Sequence, residues 1–182
     1  SVMCIRDRCQ LANANLFRAF EMEKKGWVLV APGSAAGLDG SIAKAADSGN
    51  PWLGYYWNPT SIVGKYSLIA LDFGVDFAGR DNWDNCITLP EQDCADPKPT
   101  AWTKSEVNSI VTANFAKTGG KDALKYVKKR TFPGEVMNGM LVYMADNQAK
   151  GSDAAIEFLK KHEKIWGKWV SGSAKKKIKA GL

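Results

Sequence analysis

Glycine and proline cut this chain into short pieces, and that punctuation limits what it can fold into more than any other feature. The stretch densest in aromatic rings, residues 52–57 (WLGYYW), follows Pro51, is broken by Gly54 and is closed by Asn58-Pro59. No apolar run approaches the ~18 residues that a membrane-spanning helix requires. Short apolar runs between turn signals read as buried strands. Longer segments with apolar residues every three or four positions read as helices. Of the 182 residues 45% are hydrophobic and 24% charged, a globular balance that excludes disordered, collagen-like and coiled-coil chains. A chain this long buries roughly 70% of the surface its unfolded form exposes, so its core needs no staples.

The order of the pieces predicts an α/β fold. Residues 10–25 place Leu11, Ala14, Leu16, Phe17 and Phe20 at helical spacing, and Gly26 ends the segment. A strand is expected at 27–31, a helix at about 34–46 capped by Ser34 or Ser41, and further strands at 52–57 and 66–71. Residues 72–100 are rich in Asp, Asn, Gly and Pro and read as one long loop, a feature that is often functional. Residues 102–113 alternate as a strand that leads into a helix. From Gly120 the chain reads as helices at 121–130, 134–147 and 153–169, separated by Pro133 and Gly151, with a basic tail at 175–179.

The domain boundaries follow from that order. Residues 10–118 are expected to form an α/β lobe, and 119–182 a mostly helical C-terminal segment. That segment is expected to leave Leu141, Phe158, Trp166 and Trp169 incompletely buried. Residues 1–9 (SVMCIRDRC) are expected to be a non-native leader. MCIRDR at 3–8 resembles translated adapter sequence, the alternative being an ordinary charged arm. Cys4 and Cys9 are then expected to stand outside the fold.

Little in the chain points to catalysis. The one histidine, His162, lies in KKHEK on a lysine-rich helix and reads as a solvated residue. A single His nearly excludes His-based metal sites and catalytic triads. PGSAAG around Ser34 lacks the nucleophile-elbow pattern, and neither a dinucleotide nor a P-loop glycine pattern occurs. No catalytic residue, metal or cofactor is expected, and an enzyme is not the favoured class. Lys and Arg exceed Asp and Glu by 25 to 19, with the excess near the C-terminus. That margin is too small to argue for nucleic acid, which is not expected as a partner. Cys86 and Cys94 have the wrong spacing for a C-x-x-C site. Eight positions apart in a turn-rich loop, they suit a local disulfide, the alternative being two thiols in a cytosolic loop. A bonded pair points to an oxidising compartment.

Seven tryptophans exceed what a core of this size needs, and such a surplus often marks a surface that grips something. On an extended strand Leu53, Tyr55 and Trp57 share one face, and Trp52 and Tyr56 the other. Trp57 is the last residue before a turn, where ligands of open α/β sheets gather. Indole faces attract cations, and cages of them bind quaternary ammonium groups. On strand pattern alone, core packing is the better account of Trp57.

The run 49–59 (GNPWLGYYWNP) resembles the G-x-P, apolar strand and W-x-P ending found in the ABC-transporter substrate-binding proteins for glycine betaine and related quaternary amines. The helix at 34–46 before it fits the same pattern. So does the downstream order, which closes on a helix carrying Trp166 and Trp169. The resemblance spans about residues 10–170 and makes the chain an N-terminally truncated member. It implies an incomplete lobe of the type II periplasmic-binding-protein class, from a two-lobed protein that closes around its solute and does no chemistry; residues 10–118 are then its substrate-binding lobe, and the helices of 119–182 belong to or pack partly on a lobe outside this chain. The expected function is the periplasmic solute-binding component of an ABC importer, with a quaternary amine as ligand and a membrane permease as partner. Residue by residue, the resemblance places a cage tryptophan at Trp57. Trp27 and Trp102 are further candidates, with core packing at least as good a reading for each, and Tyr55 joins them from the Trp57 face. Trp166 and Trp169 read as packing. Backbone N–H groups at a helix start such as 34–36 are one option for a ligand carboxylate. Two other classes stay open: a basic-surface interaction module using KKHEK and AKKKIK, and a small-molecule enzyme on the same α/β fold.

Overall fold

The computed structural model describes residues 8–103 and 105–182, and the regular structure in them is helical. The helices are α1 (Arg8–Ala19), α2 (Ala35–Asp47), α3 (Ser61–Tyr66), α4 (Arg80–Asn82), α5 (Ala113–Thr118), α6 (Lys121–Lys129), α7 (Gly134–Asn147), α8 (Gly151–Lys161), α9 (Glu163–Trp166) and α10 (Gly172–Ala180). Single 3-10 turns occupy Glu23–Lys25 and Glu91–Asp93, and a π turn occupies Trp83–Ile87.

The α/β expectation is therefore corrected: no strand occurs among the described residues. Residues 27–31, 52–57 and 102–111, where described, join no ladder, and the expected strand at 66–71 starts on the last residue of α3. Alternation shows which side chains share a face of an extended chain. A strand also needs a neighbour whose N–H and C=O groups complete the ladder, and no described segment supplies one. Side-chain exposure agrees, with Val28 81%, Ile69 80% and Val107 98% accessible.

The chain divides into two compact units. The first comprises Ser1–Tyr56 and Ile69–Ser105. Within it α1 lies against the π turn, burying Ala12, Trp83 and Ile87, with Leu16 and Trp102 packed around them. Asn15, fully buried on α1, donates through Nδ2 to the carbonyls of Cys86 (3.2 Å), Ile87 (3.1 Å) and Leu89 (2.9 Å). Its Oδ1 accepts from Arg18 Nη1 at 2.8 Å, and the same nitrogen donates to Cys94 O at 3.0 Å. One helical turn thus fastens the Cys86–Cys94 loop at both ends. The expected disulfide is present, with the Cα atoms 4.5 Å apart. The expectation for Cys9 is corrected. It is buried on α1, its Sγ 3.7 Å from Tyr55 Oη, because the helix begins early enough to carry it inward. Cys4 lies outside the described residues.

The second unit comprises Trp57–Leu68 and Glu106–Leu182. Its core joins Met140, Ala154, Phe158, Trp166 and Trp169. The Phe158 and Trp169 rings stack at 5.6 Å, and Phe132 meets Trp169 edge-on at 5.0 Å. Trp166 is 2% exposed and donates from Nε1 to Leu159 O at 2.7 Å, so its one polar atom is satisfied inside. These helices were expected to leave their large apolar residues incompletely covered. Phe158, Trp166 and Trp169 are instead buried within the unit and Leu141 is partly buried, because α8 packs on α7, α9 packs on α8, and Met140, Phe158, Trp166 and Trp169 close into one core. His162 ends α8 and starts α9, so the single helix expected at 153–169 is broken there. Its ring, expected to be solvated, is partly covered and stacks on Phe158 at 5.3 Å. Across α10, Lys175 and Lys179 each reach a different oxygen of Glu163 at 2.9 Å. The two ammonium groups hydrogen-bond the Glu163 carboxylate and hold its pKa down at about 2.

Candidate functional site

Trp57 ends the extended run 51–57 and is 38% exposed. The backbone beyond it is held firmly. Asn58-Pro59 turns the chain, and Thr60 caps α3 by accepting from Val63 N–H at 3.2 Å. The Thr60 N–H donates to Asn138 Oδ1 on α7 at 2.9 Å. Helix α3 lies directly on α7, and Gly64 makes that approach possible. A Cβ there would stand 2.8 Å from Val142 Cγ2 and 3.1 Å from Asn138 Cβ. Trp57 is thus a partly exposed ring just ahead of a closely packed helix pair.

The other candidate rings belong to the first unit. Tyr55 stacks on Trp102 with centroids 4.5 Å apart, and Trp102 meets Trp83 edge-on at 5.1 Å. A cation needs a free ring face within about 6 Å of the centroid. No cation fits between two rings stacked at 4.5 Å, so Tyr55 and Trp102 can offer only their outer faces and edges. Trp27 follows Gly26, which takes the left-handed conformation (φ 83°), and is 48% exposed. Ser34 caps α2, its Oγ accepting from Gly37 N–H at 3.0 Å. Trp52 and Tyr56, on the other face of the run, are tied to the α2 region. Trp52 Nε1 donates to Ser41 Oγ at 3.1 Å, and Tyr56 Oη hydrogen-bonds Asp39 Oδ1. Among the described residues no group of three or more His, Cys, Asp or Glu is placed to hold a metal ion.

The structure joins Tyr55 to Trp102 through a ring stack. Sequence reasoning missed Trp83, the third ring of that stack, and Asn138, the group that fastens the backbone after Trp57. Asn138 is 78 positions from Thr60, and nothing local in the sequence marks it. Trp83 carried a usable signal, since a Trp inside a polar loop needs burial to be stable there.

The chain matches one family model over residues 8–161, described as the substrate binding domain of the ABC-type glycine betaine transport system. No curated protein matches it. No helix among the described residues is long and apolar enough to cross a membrane. With the family match covering most of its length, the chain belongs to the substrate binding domains of ABC-type glycine betaine transport systems.

Proposed function

We propose that this protein binds glycine betaine or a related quaternary ammonium or methylamine solute in an aromatic cage, with Trp57 as its principal ring. Trp27, Trp102 and Tyr55 are the secondary candidates, and the periplasm is the compartment in which the protein works. The family is a solute-binding one and not an enzyme family, and its members are the extracytoplasmic component that serves a membrane permease. What goes beyond that is the ligand and the ring that grips it.

The observation that carries the reading is the position of Trp57. It is a half-exposed indole at the end of the motif 49–59, followed by a backbone pinned to α7 through Thr60 and Asn138. A trimethylammonium group is large, weakly hydrated and unable to donate hydrogen bonds, so ring faces suit it better than carboxylates alone. A ring on a pinned backbone loses little freedom when ligand arrives, which is what a binding face requires. The Cys86–Cys94 disulfide supports an oxidising compartment.

Calorimetry with glycine betaine, choline and trimethylamine oxide tests the reading, run on the parent and on Trp57→Ala. Binding by the parent and its loss in the variant support it. Equal binding by both removes Trp57 from the cage, and no binding by the parent removes the ligand class.

A further inference from the structure

The unit Trp57–Leu68 with Glu106–Leu182 carries positive charge that its own folding does not use. By sequence it holds sixteen Lys and Arg against seven Asp and Glu, whereas Ser1–Tyr56 with Ile69–Ser105 holds nine against twelve. Of those sixteen, Lys161, Lys175 and Lys179 are the ones that reach a carboxylate among the described residues. Two of the others, Lys129 and Lys168, line an open groove of about 370 Å³ together with Thr131, Pro133, Ile165 and Trp169. Tyr126 and Phe132 stand beside it, 36% and 41% exposed. The Arg130 guanidinium lies 6.0 Å and 5.6 Å from their ring centroids. Both rings meet Trp169 edge-on, at 6.3 Å and 5.0 Å.

We propose that this groove docks the protein on a bilayer containing anionic phospholipids. Aromatic bodies with cations beside them suit the boundary between headgroup and acyl chain. There the ring enters the apolar layer and the charge meets phosphate. Basic residues near an anionic leaflet add roughly equal increments to binding, and the attraction fades within a Debye length. The charge here is spread over the end of α6, the loop after it and the turn after α9, a distribution that matches a soft, extended surface better than the focused pocket an acidic side chain would need. The family match places the protein beside a membrane permease, so a lipid surface is within reach. Trp57, Trp27, Trp102 and Tyr55 take no part, so this inference stands apart from the solute site.

Co-sedimentation with phosphatidylglycerol-containing vesicles and with pure phosphatidylcholine vesicles tests it. The parent should bind the anionic vesicles, release them as salt rises, and ignore the neutral ones. The variant Lys129→Gln/Arg130→Gln/Lys168→Gln should lose affinity by about a hundredfold, at several-fold for each neutralised charge. Lys24→Gln/Lys25→Gln, in the other unit, should bind as the parent does. A far-ultraviolet spectrum and melting curve matching the parent confirm that the triple variant is folded. If it is not, the salt titration and the Tyr126→Ser/Phe132→Ser variant, which keeps every charge and should also bind more weakly, decide instead. Equal binding to neutral vesicles, no binding to anionic ones, or tighter binding to an acidic polypeptide or an oligonucleotide would overturn the proposal. So would full displacement by soluble glycerol phosphate, which would mark a free-phosphate site.

Discussion

Tyr55 and Trp102 lie face to face, ring centroids 4.5 Å apart and planes 27° from parallel, while Trp102 turns its flank to the edge of Trp83. The stack links the extended run before Trp57 to the long polar loop within the first unit. It makes Trp102 a packing residue as well as a candidate ring, so the two roles separate by measurement. Trp102→Ala should cost about 3 kcal/mol of stability, near the lower end for deletion of a large ring, read by denaturant unfolding. Trp57→Ala should leave stability nearly unchanged and weaken solute binding by about tenfold, the worth of one desolvated ring face. Trp57→Phe should lose less, since a face remains.

Asn15 holds three loop carbonyls with one amide. Asn15→Ala should cost about 1–3 kcal/mol by leaving buried acceptors without a donor. Asn15→Asp should cost more at neutral pH, because it turns carboxylate oxygens toward those same carbonyls. Urea unfolding of the two variants gives the order.

The disulfide closes the same loop. Cys86→Ser/Cys94→Ser should lower stability by about 2.5 kcal/mol through the loop-closure entropy returned to the unfolded chain. Thermal melts of the variant and of the reduced parent should agree. A variant as stable as the oxidised parent would show that Asn15 and Arg18 alone hold the loop.

Gly64 sits where α3 touches α7, and an added methyl would meet Val142 Cγ2 at 2.8 Å. Gly64→Ala should destabilise by about 1–3 kcal/mol, the usual range for overpacking. Adding Val142→Ala should restore part of the loss by clearing the contact. A double-mutant cycle in urea measures the recovery. Solute affinity should fall with the single variant, because the α3–α7 contact fixes the backbone after Trp57.

Glu163 carries the pH-dependent prediction. Its carboxyl pKa is lowered from 4.5 to about 2 by the hydrogen bonds from Lys175 and Lys179, with their charges adding to the effect. A carboxyl whose folded pKa lies below its unfolded value contributes stability above the unfolded pKa and loses it as pH falls through the folded one. The contact of α10 with Glu163 should therefore be intact above pH 4.5 and fail as pH drops toward 2. Amide exchange in α10 should accelerate over that window, and Glu163→Gln should remove the pH dependence. The group is solvent-exposed, so the effect is local and weakened by salt.

Much of the helical half was legible beforehand. The helices at 34–46, 121–130 and 134–147 follow from apolar spacing and from Gly and Pro punctuation, and they agree with α2, α6 and α7 to within about two residues. The loop cysteines were legible because a short separation in a turn-rich segment brings two side chains together with little help from elsewhere. The extended runs misled, since alternation of Val and Leu at 27–31 looks the same whether or not a neighbouring strand is there to pair with. Cys9 misled because the odd composition of residues 1–8 said nothing about where α1 would carry the next side chain.

The family itself came from local chemistry. The motif ending at Trp57 lies within eleven consecutive residues, so chain order alone displays it. Tertiary structure decided the rest. It set Asn138 against Thr60, Asn15 against the disulfide loop and Trp83 against Trp102, and it buried Trp166 and Trp169 in one core with Met140 and Phe158. Those partners are separated by tens of residues or by a reversal of the chain. A hydrogen bond or a ring contact depends on distances of a few ångströms, and only the completed packing sets them.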